Sequence, residues 1–159
     1  MTDVDEEFET VDAGASETVP IQAGSVKHGS YICISGRPCK VVAYSTSKTG
    51  KHGHAKAAIT GIDIFNGKKY EDSQPTSHNM ECPIIKRTEW QAISVDGDGY
   101  VTLMDIKGST RSDLKLPDET ENDAVVSQRI RDGLDAGREV LCTVLSAMGI
   151  EKIEAAKDS

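Results

Sequence analysis

Between Pro20 and Ile84 the apolar residues come in short bursts separated by turn formers, the period-two pattern of half-buried strands. Tyr31 to Ile34 is a β-rich run that ends at Gly36-Arg37-Pro38, a turn signal. Cys39 to Tyr44 reads as a second strand. Ala55 to Phe65 reads as a third, with Ala57, Ile59 and Asp63 on one face and Ala58, Thr60, Ile62 and Ile64 on the other. Asn66-Gly67 predicts a two-residue type I′ hairpin. Lys68 to Ser73 would return from it, and Thr76 to Met80 would add a last short strand. Five short strands with tight turns predict a small, strongly bent barrel.

The pattern pauses near Cys82-Pro83, and residues 85–88 lead into a strand over Trp90 to Val95. Asp96 to Gly99 forms a turn, and Tyr100 to Met104 returns from it. After Pro117, the stretch Asp118-Glu119-Thr120-Glu121 has an acid at the cap position and Glu three residues later, which resembles a capping box. Val126, Ile130 and Leu134 then mark one face of a short helix closed near Gly133. Glu139 to Leu145 is a strongly apolar strand, and Ile150 to Lys157 reads as a final helical turn or two. Strands, then a helix, then a closing strand fit a five-stranded barrel of the OB type. The chain is thus predicted to be mostly β: a tail over 1–19, one small barrel over 20–84 and a second over 85–159.

Composition supports small cores. Aromatic residues make up only 4% of the 159 residues, too few for one large aromatic-rich core. No apolar run approaches the ~20 residues of a membrane-crossing helix, and the acidic start is unlike a secretory signal, so a soluble, cytoplasmic protein with no membrane partner is expected. The four cysteines form no C-x-x-C pair and are expected to be reduced, partly buried thiols.

Charge changes the picture more. The whole chain carries a net −8, which argues against a nucleic-acid partner. The charge is unevenly spread. Residues 1–19 hold seven Asp or Glu and no Lys or Arg, with few large apolar groups, and predict a disordered tail. Residues 20–84 hold eight Lys or Arg against four Asp or Glu, while residues 85–159 hold ten against fifteen. The middle segment is basic, and because counterion release is local, a basic domain in an acidic chain can bind phosphate.

That basic character concentrates in Ser45-Thr-Ser-Lys-Thr-Gly-Lys-His-Gly-His-Ala-Lys56, which separates two good strands and so reads as a hairpin loop over 45–56. It has no large apolar residue and no acid. Lys48, Lys51 and Lys56 are cationic, His52 and His54 can become so, and Gly50 and Gly53 bracket Lys51. The residues describe a basic finger suited to RNA phosphate, or else a solvated loop without a task. Thr49-Gly50-Lys51 suggests a phosphate-binding P-loop, but Ser45 stands where that motif needs Gly, and His52 where it needs Ser or Thr. His52 and His54 offer half a metal site at most. No carboxylate pair, nucleophile–base set or complete metal site points to an enzyme, and no cofactor is expected.

The same string resembles the hypusine loop of the eukaryotic and archaeal translation factor 5A family. Gly36-Arg-Pro-Cys-Lys40, Gly61-Ile-Asp-Ile-Phe65, Gly67-Lys-Lys-Tyr-Glu-Asp72, Ser77-His-Asn-Met80 and Val144-Leu-Ser-Ala-Met148 are further matching stretches. The resemblance covers about residues 10 to 150, and the acidic tail is closer to eukaryotic members. It departs at the extended Asp96-Gly-Asp-Gly99 turn and after Met148. It implies an SH3-like barrel over 20–84 and an OB-fold over 85–159. It implies that Lys51 receives an aminobutyl group from spermidine through deoxyhypusine synthase and is completed to hypusine by deoxyhypusine hydroxylase. It also implies binding at the ribosomal E site, against ribosomal RNA and the P-site transfer RNA. There the modified lysine would assist peptide-bond formation at slow sequences such as proline runs, and termination. Lys48, Thr49, Gly50, His52, Gly53, His54 and Lys56 would form the binding loop around Lys51. The alternative reading of the same basic barrel is a general RNA-binding or RNA-export adaptor.

Three further features have plainer readings. Asp96-Gly-Asp-Gly99 hints at a calcium loop, but Tyr100 and Lys107 occupy its fifth and twelfth positions, so a hairpin turn is expected. Trp90 could stack on a base but reads as a core or rim residue. Lys86-Arg87 reads as a solvated link between the domains.

Overall fold

The computed structural model describes residues 17–48 and 55–158, and the chain divides into two compact units, Met1–Ile84 and Ile85–Ser159. The fold is mostly β with one α-helix among the described residues.

The first unit contains β1 (Thr18–Gln22), a 3-10 turn (Ala23–Ser25), β2 (Tyr31–Ile34), β3 (Arg37–Lys48), β4 (Ala55–Asp63), β5 (Lys69–Pro75) and β6 (Asn79–Pro83). β2-β3-β4-β5 form an antiparallel meander, and β1 pairs with β6 in a separate ribbon. The inward residues Ile32, Ile34, Cys39, Val41, Ala57 and Ile59 make the core with Ala23, Val26 and Met80. This is the small SH3-like barrel. It is built from six strands among the described residues rather than the expected five. Thr18 and Val19, expected in a disordered tail, lie in β1 and pair with Pro83 and Cys82. The Glu17 carbonyl accepts from the Ile84 N–H, and residues 1–16 of that tail fall outside the described residues.

Several boundaries differ from the sequence reading for local reasons. The β2–β3 turn is Ser35-Gly36, both at positive φ, and Arg37 and Pro38 already belong to β3. β3 runs on to Lys48, because Ser45 to Lys48 pair with Ala55 to Ala58 even though they bury nothing. The β4–β5 connection is a wider loop over 64–68, not a two-residue Asn-Gly turn. Phe65 turns into the protein at 2% exposure, and the Asp63 carboxylate accepts from the N–H groups of Phe65 and Asn66. Residues 76–78 turn rather than extend, and Cys82-Pro83 ends β6 rather than marking a pause.

The second unit contains β7 (Ile85–Val95), β8 (Tyr100–Met104), β9 (Thr110–Lys115), α1 (Glu121–Asp135), β10 (Val140–Ala147) and β11 (Ile150–Asp158). Their order is β11-β10-β7-β8-β9, the five-stranded OB barrel. Arg111 of β9 reaches Glu151 of β11 at 2.6 Å, tying the two outer strands together. Lys86 and Arg87 are not a link: both lie in β7, and Arg87 pairs with Glu154. The helix starts two residues later than expected. Thr120 caps it by accepting from the Asp123 N–H, and the Asp123 side chain accepts from the Thr120 N–H in return. It continues past Gly133, which is an interior contact rather than a stop. Residues 150–157 are strand β11, not helix. Val144 pairs with Ile153 but Thr143 pairs with Ala155, so Glu154 is an extra, bulged residue. The bulge puts Ile153 and Ala156 on one face at a spacing of three, which imitates a helical period.

Candidate RNA-facing hairpin

The basic segment sits on the β3–β4 hairpin, the longest in its barrel. The two strands pair from Cys39↔Asp63 to Lys48↔Ala55, with Val42 bulged between Val41 and Ala43. Their close approach has a visible cause: a Cβ on Gly61 would lie 2.7 Å from the Cys39 Cβ and 3.0 Å from the Ile34 Cδ1. A larger residue would push β4 away from β3.

The end of the hairpin remote from the basic segment is locked by a buried charge. Asp63 is 1% exposed and takes a 2.6 Å hydrogen bond from the Arg37 Nε. Burial alone would raise its pKa. The Arg37 hydrogen bond, the Phe65 and Asn66 N–H donors and the Arg37 charge outweigh burial and hold the carboxyl below its ordinary range. In the middle of the hairpin, the Tyr44 hydroxyl donates to the Ala23 carbonyl at 3.0 Å. At the basic end, the Ala55 carbonyl accepts from the Thr76 N–H at 3.0 Å. The Thr76 carbonyl in turn accepts from Gly24 at 2.8 Å. The 3-10 turn, the 76–78 turn and the β4 end of the hairpin are therefore one bonded assembly.

On that base stand the two described lysines. Lys48 shares a rung with Ala55, and Lys56 shares the next with Ser47. Residues on successive rungs point to opposite faces of a ribbon, so the two lysines place positive charge on both faces. Both are exposed, as are Ser45, Thr46 and Ser47. From Tyr44 to Ile62 the sequence contains no Asp or Glu to neutralise them. Thr49, Gly50, Lys51, His52, Gly53 and His54 lie outside the described residues. Of the expected loop over 45–56, the structure thus sets Lys48 and Lys56 on neighbouring rungs facing opposite ways and shows the flanks to be strand.

The remaining candidates resolve into structural roles. No group of His, Cys, Asp and Glu among the described residues could hold a metal ion. Cys39 and Cys142 are buried, Cys33 and Cys82 partly so, and none forms a disulfide. Burial pushes the Cys33, Cys39 and Cys142 thiols up to about 11, so they stay protonated at neutral pH. The Asp96 carboxylate accepts from the Asp98 and Tyr100 N–H groups at 2.9 Å, which makes 96–99 a hairpin turn. Trp90 packs against the second core, donates to the Thr88 Oγ1 and lies under the Arg111 guanidinium, 5.5 Å from the ring centre. The anchoring role of Asp63 was missed from sequence, although a signal existed: an acid on the same strand face as Ala57 and Ile59.

Comparison with known proteins adds what the residues alone leave open. Residues 16–78 match the family described as "Translation initiation factor 5A-like, N-terminal". Residues 84–157 match "Eukaryotic elongation factor 5A hypusine, DNA-binding OB fold". The chain belongs to the eukaryotic translation initiation factor 5A family. Eukaryotic translation initiation factor 5A-1 of Arabidopsis thaliana is 52% identical over 158 residues, covering 99% of this chain and 98% of that one. The Spodoptera exigua factor 5A is 49% identical over 99% of this chain and 96% of its own. Among solved structures, a factor 5A family protein from Naegleria fowleri superposes with a TM-score of 0.83 at 56% identity, covering 89% of this chain and 99% of that one. The factor 5A of Methanococcus jannaschii gives 0.67 at 34% identity, covering 89% and 96%. The chain is therefore a translation factor, from a family that is not one of enzymes. No helix among the described residues is long and apolar enough to cross a membrane.

Proposed function

We propose that this factor binds the ribosome near the E site and uses Lys51, converted to hypusine, to position the acceptor end of the P-site transfer RNA. The single observation that supports this reading is the β3–β4 hairpin. It is zipped through Lys48↔Ala55, anchored at both ends, cationic on both faces and free of acid around Lys51 in sequence. Deoxyhypusine synthase would transfer the aminobutyl group of spermidine to the Lys51 amine, and deoxyhypusine hydroxylase would add the hydroxyl. The product is a longer side chain with a second cationic amine. A long cation on a braced hairpin can pass between RNA phosphates and order a flexible acceptor end. It thereby raises the fraction of time the reacting groups are aligned. Slow sequences such as consecutive prolines, and termination, would gain most. The chain supplies no acid, base or nucleophile to the reaction; the ribosome's own centre does the chemistry. Work at the ribosome places the factor in the cytoplasm.

Intact-mass analysis of the protein purified from its native cell tests the assignment. The expected result is one added hydroxylated aminobutyl group, mapped by fragmentation to Lys51. A wholly unmodified chain would overturn the hypusine reading and favour a general RNA-binding role for the same basic barrel.

A further inference from the structure

The second barrel carries an apolar cleft on its outer surface that its own fold leaves uncovered. The cross-strand row Val140, Ala92 and Leu103 is buried in the core. The adjacent row, Leu141, Gln91 and Met104, therefore faces outward across β10, β7 and β8. These residues line a cleft of about 250 Å³ together with Glu89, Trp90, Asp105 and Ile106, and the Arg111 guanidinium over the Trp90 ring is already paired with Asp113 and Glu151. Ile106 is 99% exposed at the tip of the β8–β9 turn, and Ile93, two residues beyond Gln91 on β7, is 44% exposed. A single exposed aliphatic residue is ordinary, but a fully exposed isoleucine on the rim of a half-buried Leu–Met floor forms a contiguous apolar site.

We propose that this cleft docks a lysine- or arginine-rich protein segment that inserts one aliphatic side chain between Leu141, Met104 and Ile106. Charge selects that occupant. The lining holds two carboxylates, Glu89 and Asp105, and no basic residue. The unit around it holds fifteen Asp or Glu against ten Lys or Arg. Lys107 and Lys157 flank the cleft in sequence and register without lining it. A nucleic-acid strand would bring phosphates against those carboxylates, whereas a basic segment would neutralise them while burying its anchor. The surface is on the other unit from the β3–β4 hairpin, so the proposal is independent of Lys51.

The test uses the full chain, isotope-labelled, titrated with a short peptide of lysines and leucines and separately with single-stranded RNA. The peptide is expected to shift the resonances of Gln91, Met104, Ile106 and Leu141. Ile106→Ser should weaken it about tenfold, the loss typical of a buried anchor. Glu89→Gln with Asp105→Asn should weaken it several-fold and flatten its salt dependence. Asn can still accept the turn hydrogen bonds that Asp105 receives from Lys107 and Ser109, so the fold is preserved. An unchanged melting temperature checks this. Absence of peptide binding, binding indifferent to these substitutions, or the same shifts produced by RNA would each overturn the proposal.

Discussion

In the second barrel each hairpin ends in a tight turn of its own residues. Asp96 closes β7–β8 and Asp105 closes β8–β9, each accepting two backbone N–H bonds, and Met148-Gly149 at positive φ closes β10–β11. The first barrel treats β2–β3 and β4–β5 the same way, with Ser35-Gly36 and the Asp63 cap. The β3–β4 hairpin stands apart by its charge. Its sequence from Tyr44 to Ile62 is basic and acid-free, and its far end is locked by the buried Asp63 carboxylate paired with Arg37. One barrel uses its residues to close itself. The other also carries one hairpin whose far half is basic and acid-free, and that hairpin holds the residues proposed to act on RNA. The difference teaches that scaffold and tool can share one small domain when the locking charge and the free cations stand at opposite ends of one hairpin.

The sharpest way to break this comparison is Lys51→Arg. Arg keeps the charge but cannot accept the aminobutyl group, since its guanidinium stays protonated and is a poor nucleophile. Ribosomal synthesis of a peptide with consecutive prolines is expected to fall to the level without factor, with the melting temperature unchanged. Near-normal stimulation would mean that charge alone suffices.

Next in size is Ile130→Ala, on the α1 face, where Ile130 is 0% exposed. Loss of that side chain should cost about 2–5 kcal/mol. Hydrogen exchange should show the protection lost from residues 85–158 and kept in the β3–β4 ladder. Equal loss in both units would show that the barrels do not stand on separate cores.

Acid titration of Asp63 follows. Its folded pKa lies below its ordinary value, so its contribution is fully present above about pH 4 and is lost as pH falls through the lower, folded value. Asp63→Asn should destabilise the first barrel by about 2 kcal/mol at neutral pH, the scale of a hydrogen bond to a charged group. The gap from wild type should narrow on acidification. Denaturant melts at several pH values check this, and a gap constant down to pH 2 would remove Asp63 as the electrostatic anchor.

The smallest effect is expected from Lys48→Ala with Lys56→Ala. Ribosome affinity should fall and its logarithmic salt slope should lessen by about 1–2, one phosphate contact per lysine. An unchanged slope would show that these cations do not meet phosphate.

Much of this was legible in the sequence because burial and hairpin chemistry are local signals. β2, β4, β8 and the apolar body of β10 stand close to where alternation puts them, and the string around Lys51 carried the family resemblance. What was not legible depends on long-range pairing. β1 is too polar to announce itself, and it exists because β6 offers Thr18 to Gln22 a partner. β9, with Arg111 and Asp113 in its body, has almost no apolar face and was not foreseen. β11 looked helical because a bulge opposite β10 shifted its phase. Within the site, Lys48 and Lys56 were expected in a loop. Pairing extends past the last buried residue, so both stand on strand instead.

Gly133 has a consequence for how this sequence can vary. A Cβ there would lie 2.5 Å from the Val140 Cγ2, so the helix and β10 meet at a separation that only hydrogen permits. The two positions in effect share one side chain's worth of volume, and Val140 holds all of it. Enlargement at 133 must be matched by reduction at 140, so the effects of change at the two sites cannot simply add. Drift at this point of the second barrel is confined to paired steps, while the exposed faces around it remain free to change singly.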